Sequence, residues 1–332
     1  MRASWYEKTG PAIDVLQIGK METPEACDNE VRIKIFASGV NPADVKLRSG
    51  QSSYGYNFDR VIPNSDGAGI IDQVGSGLSN NLIGRRVWLF NGQRLGRAFG
   101  TAAEYICINF NFVTELPEHV SFDEGATLGI PGLTAYHSVF ADGSVHGKTI
   151  LITGGAGAVG FYATSLASWG GAKVLCTVSG DQKAKSALLA GAENVINYKK
   201  EDVAERVDAY TKGKGVDRLI TVDFGGDLPW MTSIMRQNSC VSAYASDSEK
   251  MPTLDFFSFM RKNIQIRPFI LNSLPPKELD DARFGINRWL IDKPNSLRPI
   301  AKKFSLENII KAHELVESSI KFGTVIVNPK TS

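Results

Sequence analysis

The chain has 332 residues, 43% hydrophobic and 22% charged, too long for one small core, so two domains are expected. A formal net charge of +2 gives no basic footprint for nucleic acid or an anionic membrane, and no apolar run has membrane-spanning or signal-core character. Four scattered cysteines (Cys27, Cys107, Cys176, Cys240) without a C-x-x-C pair speak against a disulfide framework or a clustered zinc site, and predict a cytoplasmic location.

Residues 1 to about 125 read as mainly β. The run 31–37 (VRIKIFA) alternates in period two. The stretch 61–74 mixes β-branched with turn residues, and 86–90 and 103–108 read as short strands. Short strands separated by glycines predict a small barrel. From about residue 125 the rhythm changes to strand–helix alternation. Strands are predicted at 149–153, 173–178, 194–198, 217–223, 240–245 and 264–269, and helices at 158–169, 182–190, 202–211 and 228–235. Six strands with crossover helices describe a doubly wound parallel sheet, so the class is α/β. An amphipathic helix near 307–318 and a β run at 324–327 end the chain. They are too short to fold alone and are expected to return to the first domain. The predicted division is therefore 1–125 completed by 271–332, with 126–270 between.

The stretch TILITGGAGAVGFYATSLASWGGAKVLCTVS carries the clearest chemistry. Gly155, Gly157 and Gly160 fit G-x-G-x-x-G, and Gly154, Gly157 and Gly160 fit G-x-x-G-x-x-G. Glycines here permit a tight turn, a close approach of backbone to a pyrophosphate, and packing of helix on strand. The free N–H groups at the helix start favour an anion. With a strand before it and a helix and strand after it, the motif predicts a dinucleotide cradle formed by Gly154, Gly155, Gly157, Ala158, Val159 and Gly160.

Several stretches together resemble the medium-chain dehydrogenase/reductase superfamily, and within it the zinc-free quinone oxidoreductases of the zeta-crystallin type. They are ASGVNPADVKLRSG, VIPNSDGAGIIDQVGSG, GTAAEYICI, ATLGIPGLTAYHSVF, the glycine loop and ENVINYKKEDVAERV. The resemblance spans nearly the whole chain. It implies a GroES-like β-barrel catalytic domain and a Rossmann domain inserted before the chain's final return.

Alcohol dehydrogenases of this superfamily place a zinc-binding cysteine where this chain has Asn41, and a Gly-His-Glu triplet where it has Asn64, Ser65 and Asp66. Their four-cysteine lobe has no counterpart here. Zinc takes thiolate, imidazole or carboxylate ligands, which Asn41 and Ser65 do not supply, so no metal is expected. Asp66 reads as a hydrogen-bonding acid, and the four histidines as surface or partly buried side chains. Without a Lewis acid to stabilise an alkoxide, the easier task is hydride delivery to an acceptor already electrophilic, a quinone or a conjugated carbonyl.

Position and resemblance extend the site. The second Rossmann strand ends at Ser179 and not at an acid, which leaves room for a 2′-phosphate. Lys183 and Tyr198 match the lysine and tyrosine that clasp this phosphate in the resembling family, which points to NADPH. Asp181 bonds a ribose instead if its loop folds inward. Resemblance places Asn41 near the nicotinamide and the acceptor, with an amide able to donate to the acceptor oxygen; the alternative is a turn asparagine before Pro42. Thr134 matches a threonine beside the nicotinamide ribose or carboxamide. Phe224, Ser246, Phe269 and Ile270 are carried over by strand-end position alone. Many family members have a tyrosine where this chain has Lys46, so Tyr54 and Tyr56 are candidates for an acceptor wall.

These readings imply an NADPH-dependent quinone reductase acting on a small-molecule quinone. An NADPH-dependent alkenal or enone reductase and a non-catalytic, crystallin-like NADPH-binding protein are the alternatives. The resemblance also implies a homodimer through the edge strand near 264–269.

Overall fold

The alternation around Ile33 has a direct structural counterpart: Val31, Ile33 and Ile35 are buried, and Arg32 and Lys34 take the other face of one long strand. The structure is a computed structural model that describes residues 1–52, 58–94, 96–296, 298–318 and 322–329. The chain divides into two units, Met1–Ile130 with Leu290–Ser332, and Pro131–Trp289. In chain order the strands are β1 (Arg2–Trp5), β2 (Gln17–Lys20), β3 (Glu30–Val40), β4 (Asp66–Val74), β5 (Arg86–Leu89), β6 (Tyr105–Asn109), β7 (Val113–Glu115), β8 (Thr149–Ile152), β9 (Lys173–Val178), β10 (Asn194–Asn197), β11 (Val216–Thr221), β12 (Met235–Ala243), β13 (Gln265–Pro268), β14 (Ile300–Ser305) and β15 (Thr324–Asn328).

The first unit is built on a seven-stranded sheet in the order β14-β15-β3-β4-β5-β7, with β6 also paired to β3. Its pairings are antiparallel apart from β14 with β15. Strand β3 serves three neighbours. Its first half pairs β6, its last residues pair β15, and β4 runs along the other edge. Side chains from β3, β4, β5, β6 and β7 fill one core. A second core joins Ala3 and Tyr6 to Leu306, Ile309 and Ala312 and to Val325 and Val327 of β15. The final return is thus an apolar part of the first unit.

The second unit is a six-stranded, all-parallel sheet in the order β10-β9-β8-β11-β12-β13. The order reverses between β8 and β11, the switch point at which such sheets bind ligands. Helix Ala158–Trp169 connects β8 to β9, Asp181–Leu189 connects β9 to β10, and Val203–Thr211 connects β10 to β11. Leu151, Leu175, Leu219 and Val241 from four adjacent strands share a core with Val207 and Met231.

Three details differ from the sequence expectations. Strand β12 begins at Met235, five residues before the predicted start at 240, with a register break in its pairing to β11. The intervening Arg236, Gln237 and Asn238 are exposed, and polar residues of that kind mask a strand. The helix after β11 starts at Phe224 and not at 228, because Gly225 and Gly226 read as turn residues. The stretch 271–289, assigned by sequence to the first domain, belongs to the second unit. It holds most of the helix Pro276–Asp292, whose Trp289 packs edge-on against Tyr162 at 5.8 Å and whose Gly285 seats against the Tyr136 ring.

Candidate active site

The glycine loop follows β8 at the switch point. Gly154 has φ 65°, in the left-handed region where glycine is the natural residue. Its N–H donates to Thr177 Oγ1 at 3.1 Å, and the Gly155 N–H donates to the Thr177 carbonyl at 3.0 Å, so β9 pins the loop. Gly157 caps the helix Ala158–Trp169 with no side-chain cap bond. The first helical N–H groups, at Ala158, Val159 and Gly160, therefore lack both an intrahelical acceptor and a capping oxygen. A Cβ at Gly155 would lie 2.5 Å from Cys176 Cβ, and one at Gly160 would lie 2.2 Å from the Gly154 carbonyl oxygen. From Gly154 to Gly157 the loop carries no side chain larger than the Ala156 methyl; it lies at the positive end of a helix and fits a pyrophosphate.

One strand over, Ser179 and Lys183 meet. Lys183 Nζ donates to Ser179 Oγ at 3.0 Å. The Tyr198 N–H donates to the Val178 carbonyl at 3.2 Å, which sets Tyr198 beside the end of β9, and its ring is exposed. A serine and a lysine thus pair at the end of β9, with the backbone of a tyrosine beside them. Asp181 is exposed in the first turn of the following helix.

The ends of β12 and β13 and the segment after β11 enclose a cleft of about 510 Å³. Phe224, Ser246, Phe269 and Ile270 all line it, with Tyr244 and Pro268. Ser246 Oγ accepts the Gly225 N–H at 3.0 Å and donates to the Glu249 carbonyl, so this hydroxyl braces the loop. Thr134 is buried on helix Leu133–Phe140, three residues before His137 and on the same face. The His137 ring lies 4.4 Å from that of Phe269. Beneath the cleft, Thr221 Oγ1 donates to Asp227 Oδ2 at 2.6 Å, and burial pushes the Asp227 carboxyl up to about 6.

In the first unit, Asn41 caps the helix Pro42–Ser49 and is buried. Its N–H donates to Asp44 Oδ2 and its side-chain amide to Asp66 Oδ2, each at 2.8 Å. Ser65 Oγ donates to Asp44 Oδ1 at 2.9 Å, and Arg94 Nη2 lies 3.1 Å from the same oxygen. Asn41, Asp44, Ser65 and Asp66 are all 2% exposed or less. Burial, then Asp44, pushes the Asp66 carboxyl up to about 8. This cluster does not fit zinc, because N–H and O–H donors and a guanidinium already face both carboxylates. Among the described residues no group of three or more His, Cys, Asp or Glu has a metal-holding arrangement.

The structure thus brings the Ser179 and Lys183 side chains together, sets the Tyr198 backbone beside the same strand end, and gathers Phe224, Ser246, Phe269 and Ile270 around one cleft. Tyr54 and Tyr56 lie outside the described residues. His313 and His137 correct the expectation for the histidines, at 0% and 4% exposure. His313 Nε2 pairs with Asn64 Oδ1 at 3.2 Å inside the core. Sequence reasoning missed Arg94, because no local pattern marks it and it meets Asp44 only through the fold.

Two family descriptions match. "Alcohol dehydrogenase GroES-like domain" covers residues 27–118, and "Zinc-binding dehydrogenase" covers 158–283. The human quinone oxidoreductase is 33% identical over 97% of this chain and 95% of its own length. The rat quinone oxidoreductase is 31% identical over 97% and 95%. The Escherichia coli quinone oxidoreductase solved with NADPH superposes with a TM-score of 0.85 at 26% identity, over 99% of this chain and 100% of that one. The chain belongs to the zinc-free quinone oxidoreductase family of the medium-chain dehydrogenases and reductases.

Proposed function

We propose that this chain is an NADPH-dependent quinone reductase that works without a metal. The observation that carries the reading is the grouping of Ser179, Lys183 and Tyr198 beside the glycine cradle. When bound, NADPH supplies the hydride. The cradle N–H groups of Ala158, Val159 and Gly160 take the pyrophosphate, and the Lys183 ammonium neutralises the 2′-phosphate with hydroxyl donors on either side. Thr134, Phe224, Ser246, Phe269 and Ile270 form the nicotinamide side of the site. Asn41 offers an amide N–H to the acceptor oxygen as negative charge develops there, and Tyr54 and Tyr56 remain candidates for the acceptor wall. A quinone disperses that charge through its own conjugation, so no Lewis acid is required.

Loss of NADPH absorbance in the presence of 1,2-naphthoquinone or 1,4-benzoquinone tests the reading. Turnover with a 2-alkenal and with neither quinone overturns it in favour of an enone reductase. Cofactor binding with no turnover on any of the three favours a binding protein.

We further infer that two copies pair through β13. This strand ends the parallel sheet, with Phe256, Phe257 and Met260 exposed on the helix that precedes it. An open apolar edge of this kind is a liability unless covered. The native chain is expected to sediment as a dimer, and a monomeric native chain would exclude the pairing. The four free thiols suit a reducing cytoplasm.

A further inference from the structure

Asp66 opens β4 and is fully buried. Its Oδ2 accepts two hydrogen bonds at 2.8 Å, from the Asn41 side-chain amide and from the Ile130 N–H. Its Oδ1 has no partner. Gly129 stands against that oxygen so closely that a Cβ there would lie 2.2 Å away. The carboxyl is therefore clamped on one side by two donors and wedged on the other by backbone. The Asn41 amide, held at its backbone N–H by Asp44 and at its side chain by Asp66, has little rotamer freedom left.

A buried carboxylate with one bare oxygen is costly. The charged groups facing Asp66 are Asp44, from helix Pro42–Ser49, and Arg94, from the segment after β5, and these two are paired with each other. Burial and the nearby Asp44 charge push the Asp66 carboxyl up to about 8. At neutral pH it is a neutral acid, and the two N–H bonds on Oδ2 leave the proton to Oδ1. A neutral acceptor suits the task. It orients the amide without placing a negative charge near the oxygen that gains charge in the reaction.

We propose that Asp66 is the positioning residue of the reductase, fixing the Asn41 amide so that its second N–H meets the acceptor oxygen. Asp66 itself touches neither acceptor nor cofactor, and the proposal rests on the role given to Asn41. Asp66→Asn keeps an oxygen able to accept both bonds and never ionises. Asp66→Ala removes the clamp.

The experiment measures kcat and both KM values with 1,2-naphthoquinone and NADPH between about pH 6 and 9, for the full chain and its Asn41→Ala, Asp66→Asn, Asp66→Ala and Asn41→Ala/Asp66→Ala variants. Asp66→Ala is expected to lower kcat about 100-fold, the scale of a displaced catalytic contact, with the NADPH KM unchanged. In the Asn41→Ala background it should lower kcat no further. Wild-type kcat should fall as pH rises through about 8, and Asp66→Asn should keep its neutral-pH kcat and lose that fall. A fall retained in Asp66→Asn, or an Asp66→Ala loss as large without Asn41 as with it, overturns the positioning role while leaving Asn41 in place. An Asn41→Ala enzyme with undiminished kcat overturns the reading of Asn41, and this proposal with it. Should Asp66→Ala not fold, the pH profile of Asp66→Asn decides.

Discussion

The Lys183 ammonium donates to the Ser179 hydroxyl at 3.0 Å, bridging the end of β9 and the first turn of the next helix. Both groups sit at the end of the strand next to the one that leads into the glycine cradle, and neither is an acid; in the proposed reading they take the 2′-phosphate. A charge-assisted bond to a phosphate is worth about 1.5–3 kcal/mol. Lys183→Ala is therefore expected to weaken NADPH by about 10- to 100-fold and leave NADH unchanged. Fluorescence titration with the two cofactors checks it, and an equal loss for both would remove the phosphate role from Lys183.

Gly155→Ala should behave differently. The added Cβ would meet the buried Cys176 side chain, 2.5 Å from its Cβ and 2.6 Å from its Sγ. Cys176 is in β9 and has no flexible end to move away, so overpacking should cost about 1–3 kcal/mol. The loop must shift, and its N–H groups shift with it. NADPH and NADH should weaken together, unlike in the Lys183 variant. Unchanged affinity for both would mean that the cradle tolerates a methyl group there.

Much of this architecture was legible in the residues. Apolar runs of strand length with helices between them mark the parallel sheet, and the glycine spacing marks the cradle, because both depend on local backbone chemistry. The cluster around Asp66 was not legible. Asn41, Asp66 and Arg94 are far apart in sequence and meet only when β4 and the segment after β5 fold over the helix that Asn41 caps. The helix Pro276–Asp292 was missed for a related reason. Its partners Tyr136 and Tyr162 lie more than a hundred residues earlier, so no local signal assigns it to the second unit.

His313 gives the first unit a pH dependence of known sign. Burial, with a contribution from Arg48, pushes its imidazole down to about 3 from 6.5. The neutral ring donates from Nε2 to Asn64 Oδ1, while Nδ1 has no partner. Below pH 6.5 the unfolded chain takes up a proton that the folded chain refuses, so this stability is complete above 6.5 and is lost as pH falls towards 3. Asp66 slopes the other way, contributing stability that is lost as pH rises from 3.8 to about 8. Comparing wild type with His313→Gln isolates the first effect. The wild type should lose roughly 2 kcal/mol more than the variant between about pH 7 and 5. Parallel stability curves from urea unfolding would show that His313 is protonated in the folded state.

The Asp44–Arg94 pair makes a separate prediction. The Asp44 side chain is 0% exposed and that of Arg94 10%, at 3.1 Å. Asp44 also accepts from the Asn41 N–H and the Ser65 hydroxyl, so its charge is well supported while the guanidinium remains. Removing one partner of a buried pair leaves the other uncompensated, at a cost of about 3–5 kcal/mol. Arg94→Met should therefore be strongly destabilising. Adding Asp44→Asn removes the stranded charge, keeps an oxygen for the Asn41 N–H, and turns an NH2 towards the Ser65 hydroxyl, which can donate to the Gln93 carbonyl instead, so the double variant should be more stable than Arg94→Met alone. Thermal unfolding of the two single variants and the double variant closes the cycle. Strict additivity would mean that solvent reaches Asp44 and screens it, and that the guanidinium is not what allows a charge to sit beside Asn41.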